Sequence, residues 1–328
     1  MSPSGPTHST IAPFLIEPRF ETRVWGAKDL RPWFNRVAEA DPIGEVWLTG
    51  DNCLVTSGPF AGLRLAELFA RSGSALNGPS APGNASPLLI KVLFAHEKLS
   101  VQVHPGDEMA RKAGLPCGKT ECWYALQADA GARVALGFKP GTTLEMVKEG
   151  IQLGTLESSL SVIDVEPGEI IYVDAGSVHA IWPGSVLLET QQNCDLTYRL
   201  YDYGRPRQLH VEQALKALRF DTRAGRIEPQ ALADRTLLLD DEHFRIERIP
   251  VDRSRSSASL RSHEPAPKLS YLFAASGAAR IAGAAFDPIK LPPRGVVAVP
   301  AASPEFEIED LGQLDLIRIT PNWPSQPR

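Results

Sequence analysis

Short strand-like runs joined by turns recur along the sequence and limit the folds that it can adopt. Runs such as Ile170–Val173 and Val296–Val299 are apolar throughout, and turn signals such as Pro167-Gly168 stand beside them. The 28 prolines and 26 glycines are scattered, which is typical of many short strands connected by turns. The sequence therefore predicts a mainly β chain, arranged as an antiparallel sandwich or barrel. Helical spacing of apolar residues predicts a few short helices, at 62–71, 143–153 and 209–218.

Three other segments carry specific predictions about local structure. Residues 72–86 are rich in glycine, serine, alanine, proline and asparagine, and this composition predicts a surface loop. Residues 186–201 are predicted as one or two long strands, and residues 259–261 as a short strand. If the strand is regular from residue 189 to residue 201, its odd-numbered side chains share one face, and these include Gln191, Asn193, Asp195, Thr197 and Arg199.

The composition is that of an ordinary folded protein and argues against several kinds of partner. Hydrophobic residues make up 43% and charged residues 22% of the 328 residues. A formal net charge of −5 without a basic stripe argues against nucleic-acid binding. No apolar run approaches the ~18 residues of a membrane span, and residues 1–10 lack the apolar core of a signal peptide. The four cysteines form no C-x-x-C motif, so reduced thiols and a cytoplasmic location are predicted.

The strongest chemical signal lies between residues 99 and 123. From residue 99 to residue 104 apolar and polar residues alternate, so Gln102 and His104 project from the same face of a predicted strand. A second predicted strand begins near Lys119 and Glu121. An amide oxygen, an imidazole nitrogen and a carboxylate on neighbouring strands are suitable ligands for a divalent metal ion. This stretch therefore predicts half of a metal site.

A further ligand is expected on a strand that follows a turn. The run from Gly168 to His179 places a histidine after the turn at residues 174–176. This run is similar to the second motif of the cupins, with Asp174 in place of the usual proline. In cupins this histidine lies beside the ligands of the first motif, inside a jelly-roll barrel. The resemblance implies a set of two nitrogens and two oxygens that suits zinc, consisting of Gln102, His104, Glu121 and His179.

Several separate motifs, in the same order along the chain, resemble the type I mannose-6-phosphate isomerases. The resemblance extends over residues 17–220 and fades beyond residue 225. The compact length, without a long helical insertion, is similar to the short bacterial form. The departures are the cysteines at 122 and 194 and an extra residue after the ligand histidine, in Trp182-Pro183-Gly184. The matching runs are Ile43-Gly-Glu-Val-Trp47, Pro87-Leu-Leu-Ile-Lys91, Ser100-Val-Gln-Val-His-Pro105, Gly118-Lys-Thr-Glu-Cys-Trp123, Ala175-Gly-Ser-Val-His-Ala180, Gln191-Gln-Asn-Cys-Asp-Leu-Thr-Tyr-Arg199 and Tyr201-Asp-Tyr-Gly-Arg205.

This resemblance implies both an activity and an architecture. The activity is a zinc-dependent interconversion of mannose 6-phosphate and fructose 6-phosphate through an enediol, with one zinc ion per chain and a sugar phosphate as the small-molecule partner. The architecture is two cupin-like jelly-roll barrels. We expect an N-terminal tail over 1–14, a catalytic domain with the zinc site over 15–225, and a smaller degenerate cupin-like domain over 226–328. The essential arginine of the family falls on Arg199, and its conserved lysine and aspartate fall on Lys119 and Asp195.

The sequence leaves several alternatives open. The same site can serve another aldose or sugar phosphate, or it can belong to a non-catalytic sugar-binding cupin. Arg199 either binds the phosphate or stabilises the enediolate. The proton is moved by Asp195, by Lys119 or by a zinc-bound water, and the oligomeric state is undetermined. Four basic residues are candidates for compensating the phosphate charge, namely Lys91, Lys98, Lys119 and Arg205.

The remaining histidines and cysteines are given no chemical role. Cys117 and Cys122 flank the half-site without a second cysteine at ligand spacing, so they are predicted to serve packing. His263 has no ligand partners, which argues against a second metal site in the C-terminal domain. Four histidines without partners at ligand spacing are predicted to lie on the surface, namely His8, His96, His210 and His243.

Overall fold

The computed structural model describes residues 10–262, 264 and 266–323, and these residues form a mainly β protein, which confirms the predicted fold class. His8 and His263 lie outside the described residues. The elements of the N-terminal part are β1 (Phe14–Ile16), β2 (Arg19–Ala27), β3 (Ile43–Trp47), α1 (Leu65–Asn77), β4 (Leu88–Ala95), β5 (Val101–Val103), α2 (Asp107–Lys112), β6 (Glu121–Ala128), β7 (Arg133–Phe138), α3 (Leu144–Leu153), β8 (Leu160–Asp164), β9 (Ile170–Val173), β10 (His179–Ile181), β11 (Ser185–Gln192), β12 (Tyr198–Tyr201), α4 (Val211–Ala217) and β13 (Gly225–Ile227).

The N-terminal part also contains two 3₁₀ turns, at Gly58–Phe60 and Leu156–Ser159. The C-terminal part continues with short strands and one short helix. The C-terminal elements are β14 (Gln230–Ala231), β15 (Thr236–Asp240), β16 (Phe244–Ile249), β17 (Ser254–Ser256), α5 (Ser257–Leu260), β18 (Ser270–Ser276), β19 (Ala279–Gly283), β20 (Phe286–Leu291), β21 (Val296–Val299), β22 (Glu307–Asp310) and β23 (Asp315–Pro321).

One compact unit comprises residues 20–47 and 88–228. It contains two antiparallel sheets, with strand orders β12-β5-β10-β7-β8 and β13-β9-β6-β11-β4-β3-β2. Trp123 and Leu187 of the larger sheet pack against Val134 and Ile181 of the smaller sheet in one buried core. Two sheets that pack face to face around an apolar core form a β-sandwich, which is consistent with the expected cupin-like architecture.

The smaller sheet of this unit has a second apolar face. Val101 and Val103 of β5 pack there in a core that also contains Val147 of α3 and Ala214 of α4. Because successive side chains of a strand point to opposite faces, Gln102 points away from the helices and towards the space between the two sheets. This alternation confirms the two-faced strand predicted at this position.

The other unit contains residues 10–19 and 48–87 together with the described residues from 229 onward. Its two sheets have strand orders β1-β21-β18-β23-β16-β15-β14 and β17-β22-β19-β20. Apolar side chains from both sheets form its core. Arg235 and Arg318 are buried beside Glu247 at 3.4 and 3.3 Å, and both donate hydrogen bonds to the carbonyl of Leu260.

The grouping of residues 48–87 differs from the division at residue 225 that the sequence predicts. Within the described chain, the end of α1 is bonded to C-terminal segments: the amides of Ala301 and Leu269 donate to the carbonyls of Leu76 and Asn77. These backbone bonds join segments that are more than 190 residues apart in the sequence. No local pattern in a sequence records such a pairing.

Two local predictions are wrong. The helix predicted at 62–71 is α1, which begins at Leu65 and continues past a kink at Ser72 to Asn77, into the predicted loop, where burial of Leu76 stabilises the last turn. The strand predicted at 259–261 is part of α5, whose N-terminus is capped when the Ser256 hydroxyl accepts a hydrogen bond from the amide of Ser259. The helices predicted at 143–153 and 209–218 are confirmed as α3 and α4.

Among the described residues, no helix has both the length and the apolar character needed to cross a membrane.

Candidate active site

Strand pairing brings the predicted ligands together between the two sheets. Gln102 of β5 pairs directly with His179 at the start of β10 on one side and with Arg199 of β12 on the other. His104 follows β5 immediately. Glu121 begins β6 in the opposite sheet. Both sheets of the sandwich therefore contribute predicted ligands to the space between them.

The three strongest ligands form a compact buried group. The Nε2 atom of His104 lies 3.4 Å from Oε2 of Glu121, and the Nε2 atom of His179 lies 3.5 Å from Oε1. Each of the three residues is only 1% exposed, and their ligand atoms all lie within 4.8 Å of one another. Within the described part of the chain, no cysteine belongs to a group of this kind.

Hydrogen bonds to the backbone orient both imidazoles. Nδ1 of His104 donates to the carbonyl of Leu196 at 2.9 Å, and Nδ1 of His179 donates to the carbonyl of Ser177 at 3.0 Å. With the proton on Nδ1, each Nε2 carries its lone pair towards Glu121. Burial, together with the charge of Lys119, lowers the pKa of His104 to about 3, and burial lowers the pKa of His179. Both rings are therefore neutral, as metal ligands must be.

Glu121 is an ionised carboxylate whose oxygens accept no hydrogen bond although both are buried. Burial alone would raise the pKa of Glu121, but the neighbouring Lys119 and His104 hold it well below its usual range. Nζ of Lys119 lies 2.9 Å from Oε2 of Glu121 and 3.1 Å from Nε2 of His104. Apart from this ion pair with Lys119, the buried carboxylate has no hydrogen-bond donor, and such a group is suited to binding a cation.

Gln102 completes the set with an amide group. The Ser100 hydroxyl donates to Oε1 of Gln102 at 3.0 Å, and Nε2 of Gln102 lies 3.1 Å from Nε2 of His179. Rotation of this amide by 180° exchanges the positions of Oε1 and Nε2. Both orientations are compatible with Ser100, because its hydroxyl accepts as well as donates hydrogen bonds. The oxygen then faces His179. Two neutral imidazoles, one carboxylate and one amide oxygen fit a divalent metal ion such as zinc.

One turn joins the chain segments that carry these ligands. The amide of Gly176 donates to the carbonyl of His104 at 2.9 Å, and the amide of Ala175 donates to Oγ1 of Thr120 at 3.3 Å. The same turn leads directly into His179. Movement of this turn would therefore displace several ligands at once.

Asp174, which stands where the cupin motif has a proline, holds this turn in place. Its Oδ1 accepts a hydrogen bond from the Ser177 hydroxyl at 2.6 Å. The amide of Arg223 lies 3.1 and 3.2 Å from the two carboxylate oxygens, and Nη1 of Arg219 lies 3.8 Å from Oδ2. Hydrogen bonds thus fix the backbone where a proline ring would otherwise restrict it.

A cavity of about 500 Å³ adjoins the ligand group. Gln102 and Lys119 line it, and both also contact the buried ligands. Its volume lies within the range of small-molecule sites. The other residues that line it are Thr22, Arg23, Val24, Trp25, Glu45, Lys91, Leu93, Leu99, Ser100, Trp123, Ile181, Glu189, Asp195, Leu196, Thr197, Arg199, Arg207 and His210.

Residues 186–201, predicted as one or two long strands, form the two strands β11 and β12, so the alternation of a single regular strand is interrupted between them. Strand β11 ends at Gln192, and buried Gln191 donates from Nε2 to the carbonyl of Cys194. Gln191 and Asn193 therefore do not belong to the lining. The odd-numbered residues that do line the cavity are Asp195, Thr197 and Arg199.

A buried cluster of charges lies beside the cavity. Lys91 pairs directly with Glu189 between β4 and β11, and its Nζ lies 3.0 Å from Oε1 of Glu189 and 3.5 Å from Oε1 of Glu45. Nε1 of Trp123 donates to Oε2 of Glu189 at 3.1 Å. Burial and the charge of Glu121 raise the pKa of Glu189 above its usual value. Sequence reasoning missed both glutamates, because only strand pairing brings them to Lys91.

Three guanidinium groups, which we call the arginine cluster, line the cavity: Arg23, Arg199 and Arg207. Two of them are fixed by carboxylates: Arg23 donates to Glu45 at 2.8 Å, and Arg207 donates two bonds to Asp202, each of 2.7 Å. The side chain of Arg199 makes no hydrogen bond or ion pair with the described residues, and its Nε is buried. Burial and the charge of Arg207 lower the pKa of Arg199. The lining carries five cationic side chains against three carboxylates, and this excess of positive charge favours an anionic ligand.

Two of the basic residues considered for the phosphate lie elsewhere. Lys91 and Lys119 line the cavity, but Lys98 and Arg205 do not. Nζ of Lys98 lies 2.7 and 2.9 Å from the carboxylate oxygens of Glu157, and Arg205 donates to the carbonyl of Lys98. Two other cations, Arg23 and Arg207, line the cavity instead.

His210, predicted as a surface residue, is partly exposed and lines the cavity. The amide of Arg199 donates to Nδ1 of His210 at 3.3 Å, and the amide of His210 donates to the carbonyl of Arg199 at 2.8 Å. These two residues are 11 positions apart and share no ligand spacing. Only the return of the chain from β12 into α4 brings them together.

Comparisons with known proteins identify the family. A model of the phosphomannose isomerase type I catalytic domain matches residues 14–132. A Bacillus subtilis protein named probable mannose-6-phosphate isomerase GmuF is 36% identical over 217 residues, 63% of this chain and 68% of that protein. Mannose-6-phosphate isomerase ManA of B. subtilis is 33% identical over 271 residues, 78% of this chain and 84% of that protein.

A solved structure is similar over nearly the whole chain. The crystal structure of the mannose 6-phosphate isomerase from B. subtilis superposes with a TM-score of 0.82 and 27% identity, covering 94% of this chain and 99% of that chain. Identity above 30% over more than two thirds of a relative's length shows common descent, and the fold agrees. This chain therefore belongs to the type I mannose-6-phosphate isomerase family.

Proposed function

We propose that this protein interconverts mannose 6-phosphate and fructose 6-phosphate, using one zinc ion per chain. The observation that carries the proposal is the composition of a single cavity. Gln102 and Lys119, which contact the buried metal-ligand set, and the arginine cluster line the same space of about 500 Å³. An aldose phosphate has matching features, since its reacting carbonyl and hydroxyl need polarisation and its phosphate needs positive charge.

The zinc ion would be held by Gln102, His104, Glu121 and His179. Bound there, zinc supplies Lewis-acid stabilisation of negative charge on the substrate oxygens. The chain prepares the site for a cation, because Glu121 is ionised and both histidines are neutral with Nε2 turned inward. Burial of all three side chains keeps water from competing as a ligand.

We propose Glu189 as the residue that moves the proton between C2 and C1. It lines the cavity, and its Oε1 lies between Nζ of Lys91 and Nζ of Lys119, at 3.0 and 3.7 Å. As a base its carboxylate takes the proton from C2 of the aldose and leaves an enediolate; the hydroxyl proton passes from O2 to O1, and the carboxyl returns its proton to C1. Its raised pKa suits this exchange. The side chain of Asp195, by contrast, is 48% exposed and lies 3.8 Å from Lys91.

Lys119 and Arg199 are proposed to stabilise the charge that develops during this transfer. Lys119 already contacts Glu121 and His104, so its ammonium group stands next to the expected reacting end of the substrate. Arg199 pairs in register with Gln102 and has a guanidinium group that no described residue binds. We therefore assign Arg199 to the enediolate, and Arg23 and Arg207 to the phosphate.

Isomerisation in heavy water tests this proposal. Incubation with mannose 6-phosphate in D₂O should give fructose 6-phosphate with deuterium at C1, because a carboxyl group exchanges its proton with the solvent. The variant Glu189→Gln should retain bound zinc but lose ~10²–10⁴-fold in turnover, as is typical for removal of a general base. The matched variant Asp195→Asn should lose much less. Full turnover of Glu189→Gln would refute the assignment of the base, and absence of the reaction in the wild type would refute the function.

A further inference from the structure

His210 has a defined orientation at the wall of the cavity. It precedes α4 and forms two backbone-linked hydrogen bonds with Arg199, one through its own amide and one through Nδ1. The ring of Tyr198 lies beside it, with the ring centroids 6.2 Å apart. The imidazole is therefore held by its Nδ1 edge, and its remaining polar atom, Nε2, lies on the opposite edge.

The hydrogen bond at Nδ1 determines which nitrogen carries the proton. Nδ1 accepts from the amide of Arg199, so a neutral ring has its proton on Nε2 and donates there. Burial and the nearby charge of Arg199 lower the pKa of His210, which keeps the ring neutral. His210 lines the cavity, and its uncharged Nε2–H is the side-chain donor that remains for a ligand.

Next to three guanidinium groups, an uncharged N–H donor can add a hydrogen bond to a phosphate without adding another positive charge. A phosphate monoester has three terminal oxygens, and each of them accepts more than one hydrogen bond. A fourth positive charge would add to the repulsion within the arginine cluster, whereas an uncharged N–H adds a bond without that repulsion. Part of each guanidinium group of Arg207 and Arg23 already donates hydrogen bonds to a carboxylate of the protein. These two arginines therefore cannot satisfy every oxygen of a bound phosphate, and a further donor is needed.

We propose that His210 binds the phosphate group of the substrate by donating a hydrogen bond from Nε2. This inference rests on the proposed function, because it requires a phosphorylated ligand in this cavity. It assigns a substrate-binding role to a residue outside the motifs that resemble the family.

Two substitutions separate this role from support of Arg199. The variant His210→Asn keeps an oxygen near the position of Nδ1, which accepts from the amide of Arg199, but has no donor at Nε2. The variant His210→Gln has a longer side chain, which places an amide N–H₂ near Nε2 and nothing at Nδ1. The KM for mannose 6-phosphate should rise about tenfold or more in His210→Asn, the effect expected for loss of a hydrogen bond to a charged group. It should stay within about threefold of the wild type in His210→Gln, while kcat changes little in either.

Binding of inorganic phosphate, measured by calorimetry on the zinc-loaded protein, provides a readout independent of turnover. Phosphate affinity should fall about tenfold in His210→Asn and be largely kept in His210→Gln. Equal affinities for phosphate in the wild type and His210→Asn would overturn the proposal, as would a larger loss in His210→Gln. If the wild type binds phosphate in this pattern but does not isomerise mannose 6-phosphate, the proposed function fails while the assignment of His210 stands.

Discussion

Replacement of Lys91 by methionine should destabilise the protein strongly at neutral pH. Lys91 is buried, and its Nζ lies 3.0 Å from Glu189 and 3.5 Å from Glu45, both of which are buried as well. The methionine side chain fills a similar volume without the charge. The substitution therefore leaves two buried carboxylates without their shared cation, a change that costs ~3–5 kcal/mol in proteins.

The pKa of Glu45 gives a second measure of the same effect. Burial alone would raise this pKa, but Lys91 and then Arg23 lower it from 4.5 to about 2. At ~1.4 kcal/mol per pH unit, this lowering corresponds to ~3 kcal/mol of folding free energy, to which Lys91 contributes most, followed by Arg23, the hydrogen bond from Trp47 and the charge of Lys119. Because the folded-state pKa is lowered, the contribution is present above pH 4.5 and disappears as the pH falls through about 2.

Urea denaturation followed by tryptophan fluorescence measures this change. We expect Lys91→Met to lose ~3 kcal/mol at pH 7 and distinctly less at pH 3, where the carboxylates of the unfolded chain are protonated. The double variant Lys91→Met with Glu189→Gln should recover part of the loss, because one unpaired charge is removed with its partner. A loss below ~1 kcal/mol at pH 7, or a loss that does not shrink at acid pH, would refute the ion-pair account.

Three further predictions concern the site. Glu121→Gln should fold but no longer retain stoichiometric zinc, as elemental analysis and circular dichroism can establish, since an ionised oxygen pair is replaced by a neutral amide. Arg207→Ala should raise the KM for mannose 6-phosphate at least tenfold and leave kcat nearly unchanged, because a charge-assisted contact is worth ~1.5–3 kcal/mol. Asp174→Ala should weaken zinc binding about tenfold in a chelator competition assay, as losses of outer hydrogen bonds at metal sites typically do, with Asp174→Asn less affected. Unchanged zinc retention in the first and third variants, or a loss of kcat alone in the second, would contradict these assignments.

Much of the ligand set could be predicted from the sequence because its information is local. Alternation over six residues places Gln102 and His104 on one face, and the turn before His179 has a recognisable spacing. Glu121 begins a strand whose apolar pattern is clear. Alternation alone predicts only the half-site, whereas His179 and the complete set of four are implied by the resemblance to the family motifs, whose short spacings can be recognised without the tertiary structure.

The remainder of the cavity could not be predicted because it depends on contacts that are distant in the sequence. Glu189 faces Lys91 only through the pairing of β11 with β4. Arg23 enters from the edge strand β2, and His210 enters through the connection from β12 to α4. None of these residues stands at a ligand spacing from another. The condition of regular alternation over 189–201 is not met, because the chain leaves the strand after Gln192.

Turnover is expected to depend on a zinc ion held by Gln102, His104, Glu121 and His179. Zinc content and the rate of fructose 6-phosphate formation should therefore be measured on the same preparation, before chelation, after chelation and after zinc is restored. We predict one zinc ion per chain at first, loss of zinc and turnover together, and recovery of both. Undiminished turnover in protein from which the metal has been removed would contradict the account.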